Sequence, residues 1–326
     1  MTLNHCCNLY LYSSRPVALA VGMHQLYTIN MFKKYIRPLL AGLVVLLTIA
    51  VFVYYISRHH EIIEQLKHMP LGTAAILLGM YVIFMVCLTW IQRATLELCE
   101  VKLGRTESAL LVSYSSIINF FGPLQSGPAF RAAYLKRKHN ANLKQYAVAT
   151  LLYYGFFALF SLLFIGTYLI GVWALLLVVL AVGLSPLLLK NPRVLQLVPA
   201  KFHSLKLQSV GQLAVATLAQ VCTVAVIYYI ELNAVGDKVA AIPTLIYTGA
   251  ANSALFVSIT PGAIGFREAF IVFTQHLHHI TNSQIIAANI LDRSIYIIFM
   301  ALLALLVFGL HANNYLSATR SISEKK

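Results

Sequence analysis

Six apolar runs, each long enough to cross a lipid bilayer, constrain this chain more than any other feature of its sequence. A helix needs about 17–25 apolar residues to cross the hydrocarbon core. Lipid offers no hydrogen bonds to the backbone, so each spanning run must form a helix. The sequence therefore predicts an all-α polytopic membrane protein with about six full transmembrane helices. The runs cover residues 39–56, 71–90, 146–170, 172–189, 209–230 and 285–310.

Two further apolar segments, 108–121 and 242–260, run into Gly122-Pro123 and Pro261-Gly262 respectively. Each is followed by a short apolar piece that carries an arginine. Non-helical backbone at membrane depth is tolerated only where protein or a water-filled cavity satisfies its polar groups. Both segments are therefore predicted to be re-entrant hairpins. The alternative is two more full spans, each kinked at its proline.

The two interrupted segments share one order of residue types, with an apolar helix followed by proline, glycine and arginine. Three full spans lie between them, so the second would enter from the opposite face of the membrane. This arrangement predicts an inverted repeat whose broken helices meet near the midplane, as in inverted-repeat transporters. The residues predicted to shape the broken helices are Pro123, Gly127, Pro261, Gly262 and Gly265.

Basic residues are distributed unevenly among the connections between the apolar runs. The chain is 60% hydrophobic and 10% charged, with a net charge of +14. If the N-terminus is cytoplasmic, the outer loops hold only Arg58, Lys67 and Lys238. Cytoplasmic loops of membrane proteins carry an excess of Lys and Arg. The pattern predicts a multi-pass protein of the cell inner membrane with both termini in the cytoplasm, and no nucleic-acid partner.

The chain divides into three predicted parts. Residues 1–30 contain no span and are predicted to be disordered or an over-extended gene start, because Met31-Phe32-Lys33-Lys34 directly before the first span resembles a natural start. Residues 31–312 form the predicted transmembrane domain. Residues 313–326 form a predicted cytoplasmic tail.

Two arginines inside apolar sequence are the first candidates for a binding site. Arg267 lies in the second hairpin and Arg293 in the last span. An arginine at a helix centre costs about 2.5–3.5 kcal/mol on insertion scales, so it usually serves a function. A guanidinium fork suits phosphate, and a helix N-terminus adds amide donors. Arg267, Arg293 and Arg131, which is expected to face the same cavity, are predicted to contact a lipid phosphate.

Internal ion pairing is the alternative role for these arginines. Of the ten acids, only Glu268 and Asp292 are expected deep in the membrane. Neighbouring residues on a helix point about 100° apart, so cross-helix pairs of Arg267 with Asp292 or of Glu268 with Arg293 have better geometry than adjacent pairs. Pairing and phosphate contact can coexist. No metal site or cofactor is predicted.

These residues resemble the lysylphosphatidylglycerol synthase transmembrane-region family, which is also described as a flippase-like domain. The resemblance covers about residues 31–312 and is carried by two segments, 261–268 and 287–293. The first hairpin departs from the family pattern, because Pro128 replaces an acid. The family pattern also has an arginine near the start of the next span, and other residues take its place here within 151–154.

The resemblance implies a membrane domain that moves or exposes amphipathic lipids, such as aminoacylated phospholipids or polyprenyl-phosphate-linked sugars. In the synthases a soluble aminoacyl-transfer domain follows the membrane region, whereas this chain ends at Lys326. We therefore do not expect it to make lysyl-lipid by itself.

Two other functions stay open on the sequence. One is a membrane-embedded transferase for a lipid-linked sugar, with Glu268 or Asp292 as the base. The other is a non-catalytic membrane partner of a separate synthase or glycosyltransferase. Membrane lipids are the predicted partners in every case.

Overall fold

The computed structural model describes residues 70–121, 126–171, 207–256 and 266–323, with single positions between 173 and 183. Side chains from 310 onward lie outside the description. So do the predicted extension at 1–30, the predicted span at 39–56 and most of the predicted span at 172–189. The same holds for four of the predicted hairpin-shaping residues, Pro123, Pro261, Gly262 and Gly265.

The described part of the chain is entirely helical and contains no strand. It belongs to one compact unit, Glu61–Lys326. Its helices, in chain order, are α1 Leu71–Leu98, α2 Arg105–Phe121, α3 Ser126–His139, α4 Leu143–Ile170, α5 Leu207–Val235, α6 Ala241–Ala254, α7 Phe266–Phe273, α8 Gln275–His278 and α9 Asn282–Ser323.

Four of these helices are long and apolar enough to cross a membrane. They are α1, α4, residues Gln208–Val235 of α5 and residues Asn282–Gly309 of α9. Each stretch has 28 residues, which is about 42 Å of helix against a hydrocarbon core of about 30 Å. Four of the six predicted spans are thereby confirmed as helices. Helix α9 continues to Ser323, so residues 313–323 of the predicted tail are helical.

At one end of the bundle, the C-terminal ends of α1 and α3 lie close to the N-terminal ends of α2, α4 and α5. Ser209 Oγ of α5 donates to Glu97 Oε2 of α1 at 3.2 Å, and Leu98, Leu135 and Tyr146 pack in one buried cluster. We call this the basic end. It is defined by Lys102, Arg105, Lys136, Arg137, Lys138 and Lys144.

At the opposite end of the bundle, the C-terminal end of α5 lies close to the N-terminal end of α9. Gln284 Nε2 of α9 donates to the backbone carbonyls of Leu232 at 3.0 Å and Asp237 at 2.7 Å. Ile280 and Ile285 pack with Leu232 in the same buried cluster. Only five residues separate the end of α5 from the start of α6, so α6 also starts at this end.

Helices α2 and α3 form an antiparallel pair, here called hairpin 1. At the basic end Glu107 of α2 accepts hydrogen bonds from Tyr134 Oη at 2.6 Å and Lys138 Nζ at 2.8 Å, and His139 Nε2 lies 2.9 Å from the same oxygen. The hydrogen bond from Lys138, followed by that from Tyr134, lowers the pKa of Glu107 to about 2. Hairpin 1 thus starts and finishes at the basic end.

Helix α3 begins next to the residues of the first interrupted segment. Gly127, predicted to shape the broken helix, lies with Pro128 in the first turn of α3. Proline is tolerated there because the first turn needs no N–H from it. Gly127 instead permits close packing, since a Cβ at this position would lie 2.7 Å from the carbonyl oxygen of Ser115 and 2.9 Å from Asn119 Cβ. Its lack of a side chain lets the arms of hairpin 1 touch.

Helices α6, α7 and α8 form a second antiparallel unit, here called hairpin 2. The ring of Tyr247 in α6 lies 5.7 Å from that of His278 at the end of α8. Hairpin 2 therefore starts and finishes at the opposite end. Its α6 packs antiparallel on α4, where a Cβ on Gly249 would lie 2.4 Å from the carbonyl oxygen of Ser161, and Phe256 lies 5.8 Å from Phe157. Small residues of this kind let membrane helices approach closely.

Helices α5 and α9 are the most enclosed of the four candidate spans. Their apolar windows are 56% and 50% buried, against 28% for α1 and for α4. Helices α1 and α4 turn large apolar side chains outward, including Val86, Leu151 and Leu169. An apolar outer surface matches the hydrocarbon of a membrane. Polar groups are consequently concentrated in the interior, around α5 and α9.

Candidate functional site

A cavity of about 280 Å³ lies where the inner ends of both hairpins meet α1, α4, α5 and α9. Hairpin 1 contributes Asn119 and Arg131 to its wall, and hairpin 2 contributes Asn252 and Arg267. The cavity is thus built jointly by the two hairpins. Its other polar lining residues are Tyr81, Ser115, Ser116, Tyr153, Tyr154, Gln220, Tyr228, Asp292, Arg293 and Tyr296.

Arg267 occupies the first turn of α7 and is only 7% exposed. One terminal nitrogen donates to Tyr228 Oη at 3.0 Å, and the other donates to Asn289 Oδ1 at 2.8 Å and to Asp292 Oδ2. Its guanidinium carbon also lies 5.7 Å from the centre of the Tyr228 ring. These contacts fix the position of the guanidinium. Its remaining nitrogen, Nε, makes no hydrogen bond with any described residue.

Asp292 has a hydrogen-bond donor on each carboxylate oxygen. Its Oδ2 accepts a hydrogen bond from Arg267, and its Oδ1 accepts one from Tyr81 Oη at 2.6 Å. The side chain is buried, so the ion pair lies in a medium where charge interactions are strong. Asp292 therefore neutralises Arg267 and holds it in place.

A second ion pair joins Arg293 of α9 to Glu268 of α7, with Nη2 3.3 Å from Oε1. The same glutamate oxygen lies 3.9 Å from Arg267 Nε. The structure thus brings together the two cross-helix pairs named from the sequence, Arg267 with Asp292 and Arg293 with Glu268. Both pairs link hairpin 2 to α9.

Arg131 differs from the other two arginines of the cavity. Its Nη1 donates to Gln92 Oε1 of α1 at 2.9 Å. Within the described part of the chain, no carboxylate lies close enough to form an ion pair with it. Hairpin 1 therefore presents a cation to the cavity that no described acid neutralises.

Several buried hydrogen-bond donors on the cavity wall lack an acceptor among the described residues. Arg131 Nε, Arg267 Nε and Asn252 Nδ2 are buried and have no acceptor among the described residues. Most buried polar atoms in proteins are hydrogen-bonded, so three such donors around one cavity are unusual. They come from both hairpins, and all three residues line the cavity.

Glu231 is an acid that the sequence analysis missed. Only Glu268 and Asp292 were expected deep in the membrane, but Glu231 is 0% exposed. Neither of its carboxylate oxygens has a hydrogen bond among the described residues. The apolar run was taken to end at residue 230, whereas α5 continues to Val235. Glu231 lies three residues after Tyr228 and therefore on the same face of α5. This spacing is the sequence signal that could have located Glu231.

Tyr81, Tyr228 and Asn289 were also missed, because tyrosine and asparagine within apolar runs are common and carry no charge. Tyr153 and Tyr154 line the cavity in the region where the resemblance expected an arginine. Tyr153 Oη donates to Gln220 Oε1 at 3.2 Å. Hydroxyl groups thus occupy the part of α4 in which the resemblance led us to expect a cation.

Four long apolar helices around a buried polar cavity define a multi-pass integral membrane protein. Residues 39–304 match the family described as lysylphosphatidylglycerol synthase TM region. The match covers most of the chain, so the protein belongs to this family. Among curated proteins, none matches the chain.

Proposed function

We propose that the protein binds the phosphate-bearing headgroup of an amphipathic lipid in this cavity and moves the lipid between the leaflets of the membrane. The observation that carries the proposal is the set of buried donors without acceptors, on Arg131, Arg267 and Asn252. Phosphate oxygens accept several hydrogen bonds at once and bind guanidinium groups strongly. Phospholipids and polyprenyl-phosphate-linked lipids both offer this group.

The size of the cavity supports a headgroup rather than a whole lipid. Its volume of about 280 Å³ is at the lower limit of pockets for drug-sized ligands, roughly 300–1,000 Å³. A phosphate with a small substituent fits this space, while acyl or prenyl chains would stay in the surrounding hydrocarbon. A ligand bound in this way needs a polar headgroup and an apolar chain, which is why an amphipathic lipid is the proposed substrate.

The hairpins supply a route for movement. The arms α2, α3 and α6 have 17, 14 and 14 residues, or about 25, 21 and 21 Å, which is less than the hydrocarbon thickness of about 30 Å. We therefore infer that both hairpins are re-entrant and that six other helices span the membrane. Entering from opposite ends and each followed by a long helix, they form an inverted repeat, the arrangement on which alternating access is built in transporters.

The orientation follows from the charges. The basic end would face the cytoplasm, since cytoplasmic loops carry the excess of Lys and Arg. Both termini would then be cytoplasmic, in the inner membrane. Membership of the synthase TM-region family supports a role in handling lipids.

The geometry favours binding over the transferase alternative. Glu268 and Asp292, the acids named as candidate bases, both lie in ion pairs with arginines. A general base needs an oxygen that can approach the proton it removes. A separate synthase or glycosyltransferase as partner is an alternative that co-purification would detect.

Binding can be tested by replacing the arginine that no described acid neutralises. We expect Arg131→Gln to weaken binding of a short-chain phosphatidylglycerol by roughly tenfold or more, since a hydrogen bond to a charged group contributes about 1.5–3 kcal/mol. Titration calorimetry on purified protein in detergent measures the affinity. Mass spectrometry of co-purified lipids identifies the natural ligand.

The matched control is Arg137→Gln, which removes an exposed arginine from the same helix. It should bind like the wild type. Equal affinity of wild type and Arg131→Gln would remove the support for a headgroup at this site.

A further inference from the structure

The carboxyl group of Glu231 lies inside the span Gln208–Val235, out of contact with solvent and without a hydrogen bond among the described residues. A buried charge without a partner is far more costly than a buried neutral group, because ionised groups lose the most solvation. Burial without a partner therefore favours the protonated form of this carboxyl group. An acid kept neutral inside a membrane is a typical element of a proton pathway.

Charged and titratable groups of five described helices, α1, α5, α6, α7 and α9, interact with Glu231. The charges of Arg267, Asp292 and Arg293 act on it from α7 and α9. Tyr81 of α1 and Tyr247 of α6 interact with it electrostatically, as does Tyr228 on its own helix. Glu231 thus belongs to the same electrostatic network as the cavity arginines.

The ionised form of Glu231 would compete with the ligand. Its charge would attract Arg267 and Arg293, whose charges act on it, and so compete with the phosphate for them. The present contacts, with Arg267 held by Asp292 and its Nε buried at the cavity, are those expected when Glu231 is neutral. The arrangement that offers donors to a phosphate is therefore the protonated one.

We propose that Glu231 takes up a proton when an anionic headgroup enters the cavity and releases it when the headgroup leaves, so that the protein binds lipid and proton together. This inference rests on the proposed lipid-binding function. In the uptake step one proton from water joins a Glu231 oxygen, the carboxylate becomes a carboxylic acid, and the arginines become available to the phosphate. By linkage, acid conditions strengthen lipid binding and lipid binding strengthens proton binding.

The test measures binding of dihexanoyl phosphatidylglycerol to the full chain in detergent by titration calorimetry, in two phosphate-free buffers of different ionisation enthalpy. Between about pH 5 and about pH 8, where buried acids and histidines change charge, the ligand keeps its single negative charge. For the wild type we expect affinity to fall about tenfold as the pH rises, within the range typical of coupled sites. Binding should take up close to one proton.

Glu231→Gln mimics the protonated form. It should bind with the acid-pH affinity at both pH values and take up no proton, while Glu100→Gln, an exposed acid outside the spans, should behave like the wild type. Binding that is independent of pH in the wild type, or still dependent on pH in Glu231→Gln, would overturn the proposal and leave the lipid site intact. No binding to any variant at any pH would overturn the lipid site itself.

A second measurement does not depend on the ligand. Infrared difference spectra of the wild type during a pH change should contain the carbonyl band of a protonated, buried carboxylic acid that Glu231→Gln lacks. Identical spectra for the two proteins would show that Glu231 does not exchange a proton.

Discussion

Arg267 combines contacts within the fold with one buried donor that no described residue accepts. Its two terminal nitrogens bind Tyr228, Asn289 and Asp292, while Nε stays unbonded among the described residues. Internal pairing lowers the cost of burying the guanidinium, because its charge has an acid partner and oriented dipoles. The remaining donor is available for phosphate. Ion pairing and headgroup contact are therefore compatible at this residue.

The first residue-scale prediction concerns Asp292. We expect Asp292→Asn to lower the free energy of unfolding by about 3–5 kcal/mol, because removing one partner of a buried ion pair leaves the other charge uncompensated. Denaturant unfolding in detergent measures the change. Asp237→Asn, at an exposed position between α5 and α6, is the control and should leave stability unaltered. An Asp292→Asn protein as stable as this control would contradict the role given to the pair.

At the residue scale the sequence was informative wherever a charge interrupts an apolar run. Arg267, Arg293 and Asp292 stood out for that reason. Glu231 did not, because it sits where the apolar run ends and the length of α5 decides whether it is buried. Uncharged partners such as Tyr81 could not be found, since only the packing of α1 on α9 shows that this hydroxyl meets Asp292.

At the element scale, hairpin 1 depends on a contact between its own arms. Glycine and proline near residue 123 predicted an interruption between two short helices, and the chain does turn back between α2 and α3. The exact start of α3 was not predicted, because proline is compatible both with an interruption between helices and with the first turn of a helix. That Gly127 faces Ser115 depends on how the two arms are aligned, which local sequence does not specify.

The element-scale prediction concerns this contact. We expect Gly127→Ala to destabilise the protein by about 1–3 kcal/mol through overpacking, since its Cβ would meet the Ser115 carbonyl oxygen at 2.7 Å. Gly166→Ala on α4 is the matched control, because a Cβ there has nothing within 4 Å. It should be neutral or stabilising by up to about 1 kcal/mol. Thermal unfolding in detergent compares the two, and equal stability would contradict the close approach of the arms.

At the scale of the whole molecule, the described interior holds a nearly balanced set of charges. Three arginines, Arg131, Arg267 and Arg293, share it with three acids, Glu231, Glu268 and Asp292. With Glu231 protonated, one positive charge is in excess, which matches a phosphodiester carrying one negative charge. Among the described residues, Arg131 of hairpin 1 has no acid partner, so a bound phosphodiester would balance the charge there.

Part of the architecture at this scale followed from simple rules. Hydropathy located the four candidate spans in the described part of the chain. An odd number of predicted spans between the interrupted segments predicted opposite directions for them, and hairpins 1 and 2 begin at opposite ends of the described bundle. The cavity could not be predicted in the same way, because it depends on how far each hairpin reaches and on side chains from eight helices.

Transbilayer movement of lipid is the activity to measure. Purified protein in vesicles of phosphatidylcholine and phosphatidylglycerol, with fluorescent phosphatidylglycerol, reports transfer as the fraction of label accessible to a membrane-impermeant quencher. We expect the wild type and Arg137→Gln to speed transfer equally, and Arg131→Gln to be slower by roughly tenfold or more, the loss expected for one hydrogen bond to a charged group. Transfer by the wild type no faster than in protein-free vesicles, or undiminished transfer by Arg131→Gln, would contradict lipid movement through the cavity.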